Sequence, residues 1–242
     1  MALKKDEWIA KVARPFWEKS TELQDYQLFM RDDARPIIQD PSAFYSCADG
    51  IILYNKIVKN AQEEVEVKGV PYSIDDIMGK DLIDGPCLIC GVFMTFADVH
   101  INRVPYTSTI EYERLDPITT MNWSMDAQEE KIFGTKIKHG KKIAGVKNQY
   151  LYNNSRMLNT FYVPEKDYKY YIVQVADYDV NTILPFASKQ KDKMMQGDRF
   201  SFIRWGSQCD IIMPLRKDLK IQPLIDSDMH VEAGVDKVAS FV

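Results

Sequence analysis

Four separated segments of this 242-residue chain hold residue types suited to nucleophilic and acid–base chemistry. The first runs from Phe29-Met30-Arg31 through Arg35-Pro36-Ile37 and Asp40-Pro41 to Ser46-Cys47-Ala48-Asp49-Gly50. The second holds Val92-Phe93-Met94, Asp98-Val99-His100, Asn102-Arg103 and Pro105, and the third is Asn153-Asn154-Ser155-Arg156. The fourth holds Gly197-Asp198-Arg199-Phe200, Ile203-Arg204-Trp205-Gly206-Ser207 and Cys209-Asp210, then the apolar Ile211-Ile212-Met213-Pro214. A serine hydroxyl is a poor nucleophile until a base takes its proton. A histidine such as His100 suits that role near neutral pH. An aspartate such as Asp49 could hold the imidazole in the right tautomer and stabilise its charged form, as in a Ser-His-Asp set. Taken singly, each has an ordinary reading. Asp49-Gly50 is a common turn, a lone strand histidine is commonly structural, and Ser207 after Gly206 is unremarkable.

The elements that would position these residues are mostly strands. Residues 6–19 carry a helical stripe of Trp8, Ile9, Val12, Ala13, Phe16 and Trp17, ringed by Lys4, Lys5, Lys11, Arg14 and Lys19. Pro15 is expected to kink or shorten this helix. The stripe could lie at a lipid interface, or pack on its own domain or on a second subunit. A second short helical pattern and a proline-rich connector follow, to residue 42. From there the texture is short apolar runs between turn signals, with candidate strands at 43–47, 50–58, 87–96, 107–114, 142–150, 157–163, 168–175 and 209–213. Tyr171, Val173 and Val175 alternate with Tyr170, Ile172 and Gln174, as in a half-buried strand. A short helix fits Ile74–Met78. Residues 115–142, with Lys136, Lys138, Lys141 and Lys142 around His139, read as a loop over a site, a basic patch for an anionic headgroup, or a solvated hairpin.

Composition narrows the function classes. Apolar residues are 45% and charged residues 27%, an ordinary globular profile. The net charge of −4 supplies no general positive field for nucleic acid. No run of about 18 apolar residues suggests a membrane span, and the N-terminus lacks the apolar core of a signal peptide. Cys47, Cys87, Cys90 and Cys209 are sparse for a disulfide scaffold, which points to a reducing compartment. The Cys87-x-x-Cys90 pair sits in an apolar run, so packing in a core is favoured over redox or zinc chemistry.

In this order and spacing the four segments resemble the phosphatidylserine decarboxylase family of pyruvoyl enzymes, from about Phe29 to the C-terminus. The first is similar to the family's arginine-proline connector and its PADG-type motif. The second is similar to its DxHxNRxP strand and turn, and the fourth to its self-cleavage motif. The tail, Val231-Glu232-Ala233-Gly234 to Val238-Ala239, resembles the family's closing hairpin, similar to biotinyl and lipoyl carrier hairpins. Departures are Ser155 where glutamate is usual, Tyr106-Thr107-Ser108 where the turn usually holds a glycine, Gln208 where threonine or arginine is frequent, and the lack of an N-terminal hydrophobic segment.

The resemblance implies an α+β fold: a helical arm and connector over 1–42, then a mainly antiparallel β domain over 43–242. It places the processing aspartate at Asp49, the histidine at His100 and the cleaved serine at Ser207. Cleavage between Gly206 and Ser207 would give a β chain of 1–206 and an α chain of 207–242, the latter starting in a pyruvoyl group derived from Ser207. That ketone would form a Schiff base with phosphatidylserine, take up the electrons left by carbon dioxide, and yield phosphatidylethanolamine, with His100 returning the proton. No metal is implied. The resemblance further implies a cytoplasmic enzyme, peripheral on the inner face of a membrane, and is compatible with a homodimer. Two other functions stay open: decarboxylation of a soluble amino acid, and a non-cleaving homologue acting as a binding module.

Overall fold

The structure, a computed structural model, describes residues 2–19, 31–36, 38–67, 70–119, 153–176, 183–186, 191–203 and 207–242. Strands alternating apolar side chains between two faces build a layered β domain. The strands are β1 (Leu3–Lys4), β2 (Ala43–Tyr45), β3 (Gly50–Val58), β4 (Glu64–Val67), β5 (Val70–Ser73), β6 (Cys87–Met94), β7 (Ile101–Arg103), β8 (Ser108–Thr119) and β9 (Asn153–Val163). They continue with β10 (Tyr168–Ala176), β11 (Ile183–Pro185), β12 (Asp192–Met194), β13 (Arg199–Ile203), β14 (Ser207–Pro214), β15 (Ile221–Pro223), β16 (Met229–Val231) and β17 (Lys237–Phe241). One nine-stranded sheet runs β1-β16-β3-β6-β14-β10-β9-β8-β12, with every pairing antiparallel. Two three-stranded sheets, β11-β13-β7 and β15-β17-β2, and the β4-β5 hairpin complete the layers. The mainly antiparallel α+β expectation holds.

The central strand β14 shows how the sequence makes two cores. Cys209, Ile211 and Met213 enter the larger core, whereas Ile212 enters the second, as the two-residue period requires. The larger core also takes Phe44, Phe161, Tyr170 and Phe200; Phe161 and Tyr170 stack with centroids 4.7 Å apart. The second core lies under β4, β5 and the short helix Ile74–Met78, which starts on a Ser73/Asp76 capping box and ends on Gly79 in the left-handed region. Strand β10, expected to be half-buried, is buried on both faces apart from Lys169. A central strand of a covered sheet has no solvent face. Cys87 and Cys90, three apart on β6, point into different cores. Burial pushes Cys87 up to about 12 and holds Cys90 well above its ordinary value, so the core reading stands.

Four residues of the N-terminal stripe pack on their own domain, Val12 is exposed, and the Trp17 side chain lies outside what the structure describes. Residues Lys5–Trp8 and Arg14–Trp17 are α-helical, and Ile9–Ala13 between them form a π turn in which the Arg14 N–H reaches the Ile9 carbonyl. Pro15 directly follows this π turn; lacking an N–H, it removes one bond from a helical run in which Ala13 and Arg14 keep right-handed helical angles. Trp8, Ile9, Ala13 and Phe16 pack against Ile51, Phe96 and Ala97. Trp8 is 2% exposed, so its ring is not available to a lipid surface. The tail also differs from a simple hairpin. Its arms, β16 and β17, pair with β1 and β3 in one sheet and with β15 and β2 in another, joined by a turn through Gly234. The expected strand 142–150 lies outside the described residues. Among those residues, no helix is long and apolar enough to cross a membrane.

Candidate active site

All four segments singled out in the sequence meet at one end of the nine-stranded sheet. Ser207 opens β14, opposite Met94 at the end of β6 and opposite Ala176 at the end of β10. Gly50 opens β3 on the other side of β6, where Ile51 faces Phe93. With strands about 4.8 Å apart, the backbones of β3 and β14 lie roughly 10 Å from each other across β6. Asn154, at the start of β9, donates from Nδ2 to the Ala176 carbonyl at 2.6 Å. His100 joins from the neighbouring three-stranded sheet, where its carbonyl accepts the N–H of Ile203 at 3.1 Å, four residues before Ser207. Gly206 lies outside the described residues. Glycine is required at position 50: its φ is +152°, and a Cβ there would sit 2.1 Å from the Phe93 carbonyl oxygen.

His100 is fully buried and its Nδ1 lies 2.9 Å from the carbonyl of Asp98. A carbonyl only accepts, so Nδ1 carries the proton and Nε2 is the basic nitrogen. Burial draws His100 down to about 4, which keeps the ring neutral and able to accept a proton at ordinary pH. The sequence assigned the holding of this ring to Asp49; in the structure the Asp98 backbone holds it. The two carboxylate oxygens of Asp49 are instead engaged by Arg35 Nη2 at 2.6 Å and the Ala233 N–H at 2.7 Å. Asp49 thus ties the arginine-proline connector and the C-terminal turn to the start of β3. Burial pushes its carboxyl up to about 6, although the Arg35 guanidinium pulls the other way.

A buried pair joins Asp98 of the second segment to His230, a residue outside the four segments. Asp98 Oδ2 accepts from Thr95 N and Oγ1, both at 2.8 Å, and its Oδ1 lies 2.7 Å from His230 Nε2. Burial would raise this carboxyl, but His230 and Thr95 outweigh it and hold it below the usual carboxylate range. Trp8 stacks on His230 with centroids 4.3 Å apart and planes 11° from parallel. On the His230 side the sequence signal was a histidine two residues before the Glu232-Ala233-Gly234 turn.

The connector arginines are also built in. Arg31 Nη2 donates to the Ala97 carbonyl at 2.9 Å. Arg103 donates to the Gly197 carbonyl at 3.0 Å and to Asp32 at 3.1 Å, and Arg199 pairs with the same aspartate at 2.6 Å. Arg103 and Arg199 line a cavity of about 320 Å³ with Met194, Gly197 and Asp198. Arg156, from the third segment, is structural. It donates to the carbonyls of Asp76, Ile77 and Asp116, which caps the Ile74–Met78 helix. Among the described residues, no group of three or more His, Cys, Asp or Glu side chains could hold a metal ion.

Comparison with known proteins agrees with this geometry. A family model described as phosphatidylserine decarboxylase matches residues 26–239. The chain is 25% identical over 169 residues to a phosphatidylserine decarboxylase proenzyme of Syntrophus aciditrophicus, covering 69% of this chain and 66% of the relative. It is 26% identical over 193 residues to one of Geotalea uraniireducens, covering 80% and 70%, and 23% identical over 212 residues to one of Carboxydothermus hydrogenoformans, covering 86% and 75%. No solved structure is matched. With its four motif segments gathered at one sheet end and its sequence matched from residue 26 to 239, this chain belongs to the phosphatidylserine decarboxylase family of carboxy-lyases.

Proposed function

We propose that this chain cuts itself between Gly206 and Ser207 and, with the pyruvoyl group so made, decarboxylates phosphatidylserine to phosphatidylethanolamine. The observation that carries the proposal is the placement of Ser207. It is a fully buried serine at the first position of a central strand, and Ile203, four residues before it, donates its N–H to the His100 carbonyl. The residues fit such a precursor. His100 Nε2 can take the Oγ proton. The oxygen then attacks the Gly206 carbonyl carbon, and the amide becomes an ester with a free amine at position 207. Loss of the Cα proton and of the ester oxygen releases residues 1–206 as a carboxylate and leaves dehydroalanine. Water replaces its nitrogen, giving the ketone and ammonia. Once formed, the ketone supplies the sink for the electron pair left when carbon dioxide departs.

The chain's own residues supply the surroundings. The Asp98 carbonyl fixes the His100 tautomer, and the buried apolar walls Met94 and Ala176 exclude water beside position 207. The ring that returns a proton to the substrate carbon is His100. The serine phospholipid would be met at the cytoplasmic face of a membrane, through surfaces other than Trp8. Intact mass tests processing directly. Cleavage yields a fragment of about 4 kDa, in proportion to 28.0 kDa for 242 residues, and Ser207→Ala abolishes it. Carbon dioxide release from phosphatidylserine vesicles, compared with free amino acids, tests the substrate. A single 28.0 kDa species after maturation defeats the proposal. Release only from free amino acids moves it to a soluble amine.

A further inference from the structure

On the face of β14 away from the Ser207 side chain lies a polar cluster that the mechanism above does not use. Gln208, fully buried, donates from Nε2 to Tyr54 Oη at 3.0 Å and to the two oxygens of Asp210 at 3.1 Å each. Tyr54 Oη donates in turn to Asp210 Oδ1. Tyr54 is on β3 and Asp210 on β14, with β6 between them. They meet because β6 has no side chain at the crossing point. A Cβ on Gly91 would lie 2.5 Å from the Tyr54 ring and 2.9 Å from Asp210 Oδ1. A buried carboxylate is thus held by a phenol and an amide, and no Lys, Arg or His pairs with it among the described residues.

The position of this cluster gives it a purpose once the chain is cut. Before cleavage, residue 207 is held by the peptide bond to 206 and by its own backbone groups in the ladders to Met94 and Ala176. After cleavage that peptide bond is gone, and a ketone oxygen stands where the N–H was. The first residue with an intact peptide N–H is then Gln208. Free strand ends fray, yet the reacting ketone sits on this one, and a misplacement of about 1 Å can lower a rate by 10²-fold. Gln208 is the residue whose side chain is anchored across two strands. We propose that Tyr54, Asp210 and Gln208 form a buried clamp that fixes the new end of the 207–242 chain after self-cleavage, and so are positioning residues for the ketone at 207.

The clamp rests on the self-processing reading, and one set of measurements separates the two. Tyr54→Phe removes a single hydroxyl, and Gln208→Met removes the anchored amide at similar length. Each is scored for cleavage by intact mass, for ketone content by reductive trapping, for kcat and KM on phosphatidylserine vesicles, and for amide exchange at 208–210. Both variants are expected to cleave and to carry a full complement of ketone, with kcat at least tenfold lower and KM within twofold of the parent. Exchange at 208–210 should rise at least tenfold in the cleaved variants but stay slow when the same substitutions are made in uncleaved Ser207→Ala protein. Parental kcat in both cleaved variants overturns the clamp, as does exchange that rises equally in the uncleaved background. Absence of cleavage and ketone in the parent protein overturns the self-processing reading and the clamp with it. If Gln208→Met does not fold, Tyr54→Phe alone decides the matter.

Discussion

The pH dependence expected of the proposed self-cleavage follows from the burial of His100 and can be worked out in numbers. With the ring drawn down to about 4, about 97% of it is the free base at pH 5.5, against about 9% for an imidazole at its ordinary 6.5. Cleavage limited by His100 should therefore run at its plateau at pH 5.5 and reach half of it only near pH 4. If the ionised form of Asp49 were limiting, with its carboxyl at about 6, about 24% would be ionised at pH 5.5 and the rate would fall about fourfold. The fold itself should survive this range. His100 is depressed in the folded state, so its contribution to stability is complete above 6.5 and is lost as pH falls through 4. Asp49 and Asp210 are both raised to about 6, so theirs is complete below 3.8 and is lost as pH rises through 6. At pH 5.5 the loss through His100 is about 1 kcal/mol and the two carboxylates return about as much. The assay is cell-free synthesis of the uncleaved chain, a jump to pH 4–8, and a gel time course of the fragment, with near-ultraviolet circular dichroism as a check on folding. A rate already tenfold down at pH 5.5 in folded protein would refute His100 as the buried base. A midpoint near 6 would transfer control to a carboxylate.

Two further substitutions probe the scaffold around the site. Gly50→Ala puts a methyl group into the Phe93 carbonyl at a backbone angle that disfavours side chains; β3 should separate from β6 at that end, and an intact-mass time course should show cleavage at least tenfold slower. Trp8→Ala empties a 2%-exposed site stacked on His230; the loss should be about 3–5 kcal/mol, read as a Tm fall of roughly 10 °C by calorimetry.

Legibility in the sequence followed length of pattern. Strands β3, β6 and β10 each carry eight or nine residues, enough for apolar runs to show, and they appear where expected. Strands β7, β11, β12, β15 and β16 have three residues each, too few for a two-residue period to declare itself. The start of β14 was hidden because Ser207 and Gln208 are polar, although both are fully buried. Asp49, His100 and Ser207 stood out in the sequence through their motifs, and the described parts of those segments lie at one end of the sheet. The contacts between them were not legible. Asp98 and His230 are 132 residues apart, and Gln208 and Tyr54 are 154 apart. No local period encodes such pairs; they exist because β16 and β14 enter the same sheet.

That interleaving also bears on why a chain could be cut at 206 and keep working. Strand β13 ends at Ile203 in a three-stranded sheet, and β14 begins at Ser207 in the nine-stranded one, so the proposed cut precedes the first residue of β14. The piece beyond the cut is not a peripheral strip. Its β14 lies between β6 and β10, its β16 between β1 and β3, and its β17 pairs with β2. To leave, it would have to break ladders in two sheets and expose Ile211, Ile212, Met213, Val231 and Val238, all fully buried. At roughly 1.5–3 kcal/mol for each such side chain, departure is prohibitive compared with the loss of one peptide bond. If the backbone linkage at 206 were given up as proposed, the ladders would therefore still hold position 207 between Met94 and Ala176.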